Sequence, residues 1–415
     1  MLIESMFEQA LSILTPWYIK DIEFSVEEKQ LDIYIDFHRG SVFEYIDKET
    51  GECSTHTAYD TEQKTWRHLN FFEHKCYLHC RTPRVKLESG KVRHISPPWA
   101  GLNTGFTLLF EALILQLCSH MPVYAVSRIV SENDGKLWRL LHKYIKMARS
   151  QEDFSSIEKI GIDETSRAKH HDYITLFVDL ERSRTTFVTS GKSSETVTSF
   201  VNDLEDHNGS RQQITDVSCD MSPAFIKGVK ENLPNAKITF DKFHIIKIIN
   251  EAVDQVRRDE AKHQDILKGC RYLFLKNNSN LTVKQKSKLD DLQLSNFKLK
   301  TIRALQIRET FQEIYQAKTI ATFEYLLKKW YFWATHSRLL PIKKAAYTIK
   351  RHWDGVINWK KSQINNGILE GLNSVIQAVK SRARGFRNVK YFCTMVYLVT
   401  ANLNFSKINK YARTI

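Results

Sequence analysis

Residues 157–163 read IEKIGID, and the stretch that begins there decides the fold. Apolar residues crowd it as they do a buried strand, and it ends on an acid, Asp163. HDYITLFVDL (171–180) and RTTFVTS (184–190) follow, both rich in β-branched residues and joined by a charged turn, so three consecutive strands are predicted. SETVTSFVNDLEDH (194–207) then has helical spacing, and ITDVSCD (214–220) reads as a fourth strand ending on Asp220. PAFIKGVKENL (223–233) reads as a helix with Pro223 near its first turn, and AKITFD (236–241) as a fifth strand. The order is βββαβαβ.

That order predicts an α/β core of the ribonuclease-H-like kind, a mixed sheet flanked by helices. Its first and fourth strands are neighbours, so their ends can bring Asp163 and Asp220 to one point. Either acid alone is more simply a turn former or a solvated charge. Together with a third carboxylate from a late helix, they would make a hard oxygen-donor site suited to Mg²⁺ or Mn²⁺. Glu370, within INNGILEGLN (364–373), is the candidate. Two ions about 3.5–4 Å apart would activate an attacking oxygen and stabilise a leaving 3′ oxygen at phosphorus. Glu164, Asp179 and Asp241 compete for the role. Asp179 suits the turn between the second and third strands. Asp241 with His244, in DKFHI, could support the metal ligands or contact DNA, and an ordinary structural role for His244 stays open.

Upstream, IEFSV (22–26) and LDIYIDF (31–37) alternate apolar and polar residues around a charged turn and predict a hairpin. Pro97-Pro98 closes this first part. Phe106, Leu109, Phe110, Leu113 and Leu117 then recur at helical spacing, followed by a short helix, VYAVSRIV (123–130). Asn133-Asp134-Gly135 marks a turn, and KLWRLLHKYIKMAR (136–149) is a third helix with two faces. Leu137, Leu141, Tyr144 and Ile145 make an apolar stripe; Lys136, Arg139, Lys143 and Lys146 make a basic one. This predicts a helix-turn-helix whose last helix approaches DNA, with a solvated charged face as the plainer alternative.

Downstream of His244 the chain stays helical, and residues 260–350 read as a helical insertion interrupted at Asn277-Asn278-Ser279-Asn280 and Pro341. Between Gly371 and Ile415 there are eight Lys or Arg and no Asp or Glu. Lys380, Arg382, Arg384, Arg387 and Lys390 cluster around a helix break at Gly385-Phe386 and form a second candidate DNA contact. Trp330, Trp333, Trp353 and Trp359 are expected to pack in the core. The expected regions are an N-terminal β-containing DNA-binding region (1–98), a helix-turn-helix (99–150), the first part of the catalytic core (151–259), the insertion (260–350) and C-terminal catalytic helices (351–415).

The bulk numbers agree with a nucleic-acid partner. Against 47 acids the 415-residue chain carries 61 Lys or Arg, a formal charge of +14. No apolar run approaches the ~20 residues that span a bilayer, so a cytoplasmic, nucleoid-associated protein is expected. Seven scattered cysteines argue against a disulfide framework.

The chain resembles the ISL-three family of bacterial insertion-sequence transposases over nearly its whole length. The resemblance runs through PWYIKDIEF (16–24), WRHLNFFEHK (66–75), PPWAGLNTGFTLLFEAL (97–113), GIDE (161–164) and HDYITLFVDL. It continues through CDMSPAFIKGV (219–229), ITFDKFHIIK (238–247), INNGILEGLN and KSRARGFRN (380–388). It implies a DDE transposase in which GIDE supplies Asp163, CDMSP supplies Asp220 and ILEGLN supplies Glu370. It also implies metal-dependent cleavage at the element's terminal inverted repeats, strand transfer into target DNA, and self-association on DNA. The offset of 150 positions between the last two acids is accounted for by the insertion. Zinc-binding cysteines usually open such chains. Here Tyr45 and Lys48 stand near the first expected pair and Leu87 near a later position. Cys53, His56, Cys76 and Cys80 have spacings compatible with a substitute Cys₃His zinc site in a degenerate zinc-ribbon-like region. The competing expectation is a metal-free region. A DNA-binding regulator without turnover and a ribonuclease-H-like nuclease are the alternative functions.

Overall fold

A computed structural model describes residues 2–414 except 48–50, 103, 169–171, 296–297, 363 and 365–366. Lys48, His171, Asn365 and Asn366 therefore lie outside the described residues. The chain divides into two compact units. One comprises Met1–Gln151, Ser381–Arg384 and Tyr397–Ile415; the other comprises Glu152–Lys380 and Gly385–Val396.

The first unit opens with α1 (Leu2–Leu11) and the predicted hairpin, β1 (Trp17–Ser25) and β2 (Gln30–Phe37), whose pairing sets Phe24 opposite Leu31. β3 (Val42–Ile46) and β4 (Cys53–Thr57) form a separate antiparallel pair. The main sheet is completed by β5 (Asp60–Phe71), β6 (His74–Lys86) and β7 (Val92–His94), in the order β1-β2-β6-β5 with β7 also on β6. Leu31, Ile33 and Ile35 of β2 and Cys76, Leu78 and Cys80 of β6 alternate into one core with Trp17, Trp66 and Trp99. This is the period-2 rule of a half-buried strand.

That alternation corrects the zinc reading. Cys76 and Cys80 lie four residues apart on one continuous strand, about 13 Å along it at the strand rise, far beyond the span of two ligands on one ion. Burial pushes both thiols up to about 12, whereas a zinc ligand must be a thiolate. Cys53 is exposed, and His56 Nε2 bonds Ser54 Oγ at 2.8 Å. The four residues do not converge. The spacing of Cys76 and Cys80 reflects inward-facing strand positions.

Three helices complete the N-terminal part: α2 (Leu108–His120), α3 (Val123–Val130) and α4 (Asp134–Arg149). Thr107 caps α2 and Asn133 caps α4, each accepting a backbone N–H, from Phe110 and Gly135 respectively. The turn between α3 and α4 is made by Ser131 in the left-handed region (φ 55°).

In the second unit, β8 (Lys159–Ala168), β9 (Asp172–Asp179) and β10 (Arg184–Ser190) form an antiparallel meander. After α5 (Glu195–Asp206) come β11 (Asp216–Cys219), α6 (Pro223–Asn232) and β12 (Lys237–Phe240). The sheet order is β10-β9-β8-β11-β12, with β8, β11 and β12 mutually parallel. All five predicted strands exist, in a mixed α/β unit. One expectation changes: Asp163 does not end its strand. β8 continues to Ala168 because its antiparallel partner β9 keeps pairing with it, whereas the last paired residue on its β11 side is Gly161.

The rest is helical: α7 (Lys242–Glu260), α8 (Arg271–Leu275), α9 (Val283–Ser295), α10 (Lys300–Ile314), α11 (Ile320–His336), α12 (Leu340–Arg351), α13 (Trp353–Ser362), α14 (Gly367–Arg382) and α15 (Val389–Thr400). Sheet and helices share one apolar core that runs from Phe177, Phe200 and Phe225 to Phe311, Phe323 and Trp330. Each such ring contributes about 1.5–3 kcal/mol by burial. Trp330 is buried and donates Nε1–H to the Ile307 carbonyl at 2.8 Å; Trp353 and Trp359 pack against the same core, and Trp333 is 37% exposed. Helix α13 lies against β12. A Cβ on Gly355 would come within 2.3 Å of the Phe240 ring, so only glycine allows this approach. Among the described residues no helix is long and apolar enough to cross a membrane.

Candidate active site

Strand register builds the site. Ser218 pairs with Gly161 across β11 and β8, so two further residues on each strand set Asp220 level with Asp163. Cys219 pairs with Phe240 across β11 and β12, so one further residue sets Asp241 level with Asp220. Three acids thus form a row across neighbouring parallel strands that are about 4.8 Å apart.

The environment shows that their charges interact. Burial pushes the Asp163 carboxyl up to about 6, with Asp220 and Asp241 pushing the same way; the Glu164 N–H and His244 oppose them. Burial raises Glu164 as well, and the charges of Asp220 and Asp163 add to it while Lys192 pulls it down. Like charges gathered in a half-buried place are costly, and such sites are where function concentrates.

Individual partners sort the acids. Asp163 Oδ1 accepts the Glu164 N–H at 2.8 Å, and its Oδ2 accepts from Asn373 Nδ2. Asp220 Oδ1 accepts the Ser222 N–H at 2.9 Å, just before Pro223 starts α6. Asp241 caps α7 through the Phe243 N–H at 2.8 Å, and His244 Nδ1 is 3.7 Å from Asp241 Oδ2. Asp179 is buried in the hairpin turn, accepting the Glu181 and Arg182 N–H groups at 3.0 and 3.1 Å. Its role is structural. Glu370 is exposed in the first turn of α14, where a negative charge also favours the helix dipole. Among the described residues no three His, Cys, Asp or Glu side chains are close enough as they stand to hold one ion.

Helix α14 is fastened along β8. A Cβ on Gly161 would lie 2.7 Å from Leu369, and Gly161 is the glycine of GIDE. Two residues on, Asp163 meets Asn373. Two more on, Thr165 donates its hydroxyl to Asn373 Oδ1 at 2.8 Å and accepts from Gln377 Nε2 at 3.3 Å. Lys380 then donates to the Ser166 carbonyl. Gly161, Asp163 and Thr165 share a strand face, while Glu370, Asn373 and Gln377 recur at helical intervals. Sequence reasoning missed Thr165, Asn373 and Gln377. The signal was the polar i, i+3, i+7 stripe inside ILEGLNSVIQ.

Residues 160–396, more than half of the chain, match the transposase model of the ISL3 family, and residues 95–145 match the helix-turn-helix domain of transposase family ISL3. The chain belongs to the ISL3 transposase family. It is a DDE transposase, an enzyme of DNA cleavage and strand transfer. It is 29% identical over 344 residues to the transposase for insertion sequence element IS1001 of Bordetella parapertussis, covering 81% of this chain and 84% of that one. To the transposase for insertion sequence element IS1557 of Mycobacterium tuberculosis it is 26% identical over 434 residues, 95% of each chain.

The helix-turn-helix of this transposase implies DNA binding. Leu137, Leu141, Tyr144 and Ile145 of α4 are buried, and Arg139 and Lys146 face solvent. Lys136 is held by Glu132 at 3.1 Å. Lys143 differs from expectation: its ammonium bonds the Leu102 carbonyl, bracing the loop before α2. In the C-terminal cluster Arg384, Arg387 and Lys390 are exposed, whereas Lys380 bonds Ser166 and Arg382 bonds the His120 carbonyl. Gly385, at φ 91°, marks the predicted helix break.

Proposed function

We propose that this transposase binds the terminal inverted repeats of an insertion sequence and cuts and joins DNA at Asp163, Asp220 and Glu370, on a ribonuclease-H-like sheet. The carrying observation is the level placement of Asp163 and Asp220 on neighbouring parallel strands, with their charges coupled. The strand order 3-2-1-4-5 supports the fold reading.

The donor chemistry fits hard divalent cations. Asp163 and Asp220 offer carboxylate oxygens in a half-buried place that already carries excess negative charge, and Glu370 lies one turn before Asn373, which touches Asp163. Mg²⁺ or Mn²⁺, two ions in all, is the expected cofactor; when bound it supplies Lewis-acid activation of the attacking oxygen and charge neutralisation at the leaving 3′ oxygen. The chain's own contribution is to hold the carboxylates. Asp163 is gripped at both oxygens, and Asp220 is set by the start of α6. Asp241 and His244 stand beside them and tune the local charge. Arg139, Lys146, Arg384, Arg387 and Lys390 hold phosphates, and self-association on DNA brings two element ends together.

The test uses a labelled duplex that carries the element end, with Mg²⁺ or Mn²⁺, and compares wild type with Asp163→Asn, Asp220→Asn, Glu370→Gln and Asp241→Asn. Loss of cleavage in the first three with retained end binding is expected. Full cleavage by Glu370→Gln together with loss in Asp241→Asn would transfer the third role to Asp241.

A further inference from the structure

We infer that Gln377, Thr165 and Asn373 form a directional hydrogen-bond relay that positions the Asp163 carboxylate and holds the helix bearing Glu370 in register with it. The inference rests on the proposed role of Asp163 as a metal ligand, and it assigns three further positioning residues.

Donor and acceptor bookkeeping fixes the direction. A threonine hydroxyl has one hydrogen. Gln377 Nε2 donates to Thr165 Oγ1 at 3.3 Å, so the hydroxyl accepts there and spends its own hydrogen on Asn373 Oδ1 at 2.8 Å. With its oxygen so engaged, the Asn373 amide must present Nδ2–H to Asp163 Oδ2. The other carboxylate oxygen is held by the Glu164 N–H at 2.8 Å. Asp163 therefore cannot rotate without breaking a bond at each oxygen, and each oxygen keeps a lone pair for a cation. A donor behind a ligating carboxylate orients it in this way, and loss of such a partner typically costs 10–100-fold in metal affinity or activity.

The same relay acts on Glu370. Asn373 is three residues on in α14, so the two side chains are neighbours on the helix surface. Leu369 against Gly161 supplies the apolar part of the clamp, and the relay supplies the polar part. An apolar contact tolerates sliding. A directional chain does not, so the relay sets the height of Glu370 against Asp163.

Two substitutions at one position separate positioning from mere folding. Thr165→Val keeps the shape of a buried side chain and removes the hydroxyl, whereas Thr165→Ser keeps the hydroxyl. Mn²⁺ binding is measured by calorimetry on the DNA-free protein, and single-turnover cleavage of the element end is followed at saturating DNA. Thr165→Val and Asn373→Ala are expected to weaken Mn²⁺ binding and slow cleavage by about 10–100-fold, with the Kd for the DNA end unchanged. Thr165→Ser is expected to stay within about threefold of wild type. Wild-type Mn²⁺ affinity and rate in Thr165→Val, or equal damage in Thr165→Ser, would overturn the relay. If Asp163→Asn is inactive and Thr165→Val is normal, only the relay fails; if Asp163→Asn still cleaves, the metal-site reading itself fails.

Discussion

The two sheets treat their acids in opposite ways. In the first unit, Asp32 meets His79 at 2.7 Å, Asp36 meets Arg81 at 2.9 Å, and Asp60 is paired with Arg84. In the second unit, Asp163 lies among Asp220 and Asp241, which raise its proton affinity beyond what burial already does. Paired charges stabilise a scaffold. Accumulated like charges destabilise a sheet unless a cation neutralises them, so the comparison separates a sheet of paired acids from the one proposed to carry the chemistry.

The largest break in that comparison comes from mirrored substitutions. If Asp163 is the metal ligand proposed above, Asp163→Asn should reduce element-end cleavage by at least about 10²-fold, because such a ligand carries several kcal/mol of transition-state stabilisation. In the metal-free protein at about pH 7.5 its melting should change little, because relief of the crowded charge is offset by the one N–H bond that the new amide NH2 cannot accept. Asp36→Asn should do the reverse, lowering stability by about 1 kcal/mol and sparing cleavage. Thermal melts and a cleavage assay on both variants decide it.

Acid should then split the two units. His68 bonds Thr107 at 2.8 Å, and burial depresses it from 6.5 to about 4. The stability it protects is present above pH 6.5 and is lost as pH falls from 6.5 towards 4. Asp163 is raised from 3.8 to about 6, so its contribution is fully present below 3.8 and is lost as pH rises through 6. Each effect is at most about 3 kcal/mol. Hydrogen exchange on the metal-free protein between pH 7 and 4.5 should show β5 and β6 losing protection while β8 and β11 gain it. Parallel changes in both sheets would contradict the contrast.

Gly161→Ala is a finer probe, because its methyl would press on Leu369. A destabilisation of about 1–3 kcal/mol is expected. Cleavage should fall more than end binding, since the displaced helix carries Glu370. The smallest effect concerns the first unit alone: a zinc chelator should leave its melting unchanged, within about 0.5 kcal/mol, because Cys76 and Cys80 serve the core of β6. A chelator-induced loss of that transition would restore the zinc site.

Much of this was legible in the sequence. The second unit's strands announced themselves because β-branched residues recur between turn signals, and Asp163 and Asp220 could be named from their places on that order. The long strands β5 and β6 were not legible. DTEQKTWRHLNF carries few apolar residues on its outer positions, and the cysteines of HKCYLHC drew attention as ligands when their alternation with Leu78 marked a core face. Lys143 looked like a DNA contact by charge alone, until the fold gave it the Leu102 carbonyl.

The sequence by itself determined the order of elements and the basic excess, and it nominated the acids proposed for the site, because these follow from local periodicity and from residue type. Only the tertiary structure decided which acids share a level, which of them are spent on turns and caps, and which helix residues hold Asp163. Those depend on strand register and on the packing of α14 over β8, relations between residues more than 200 positions apart that no local pattern encodes.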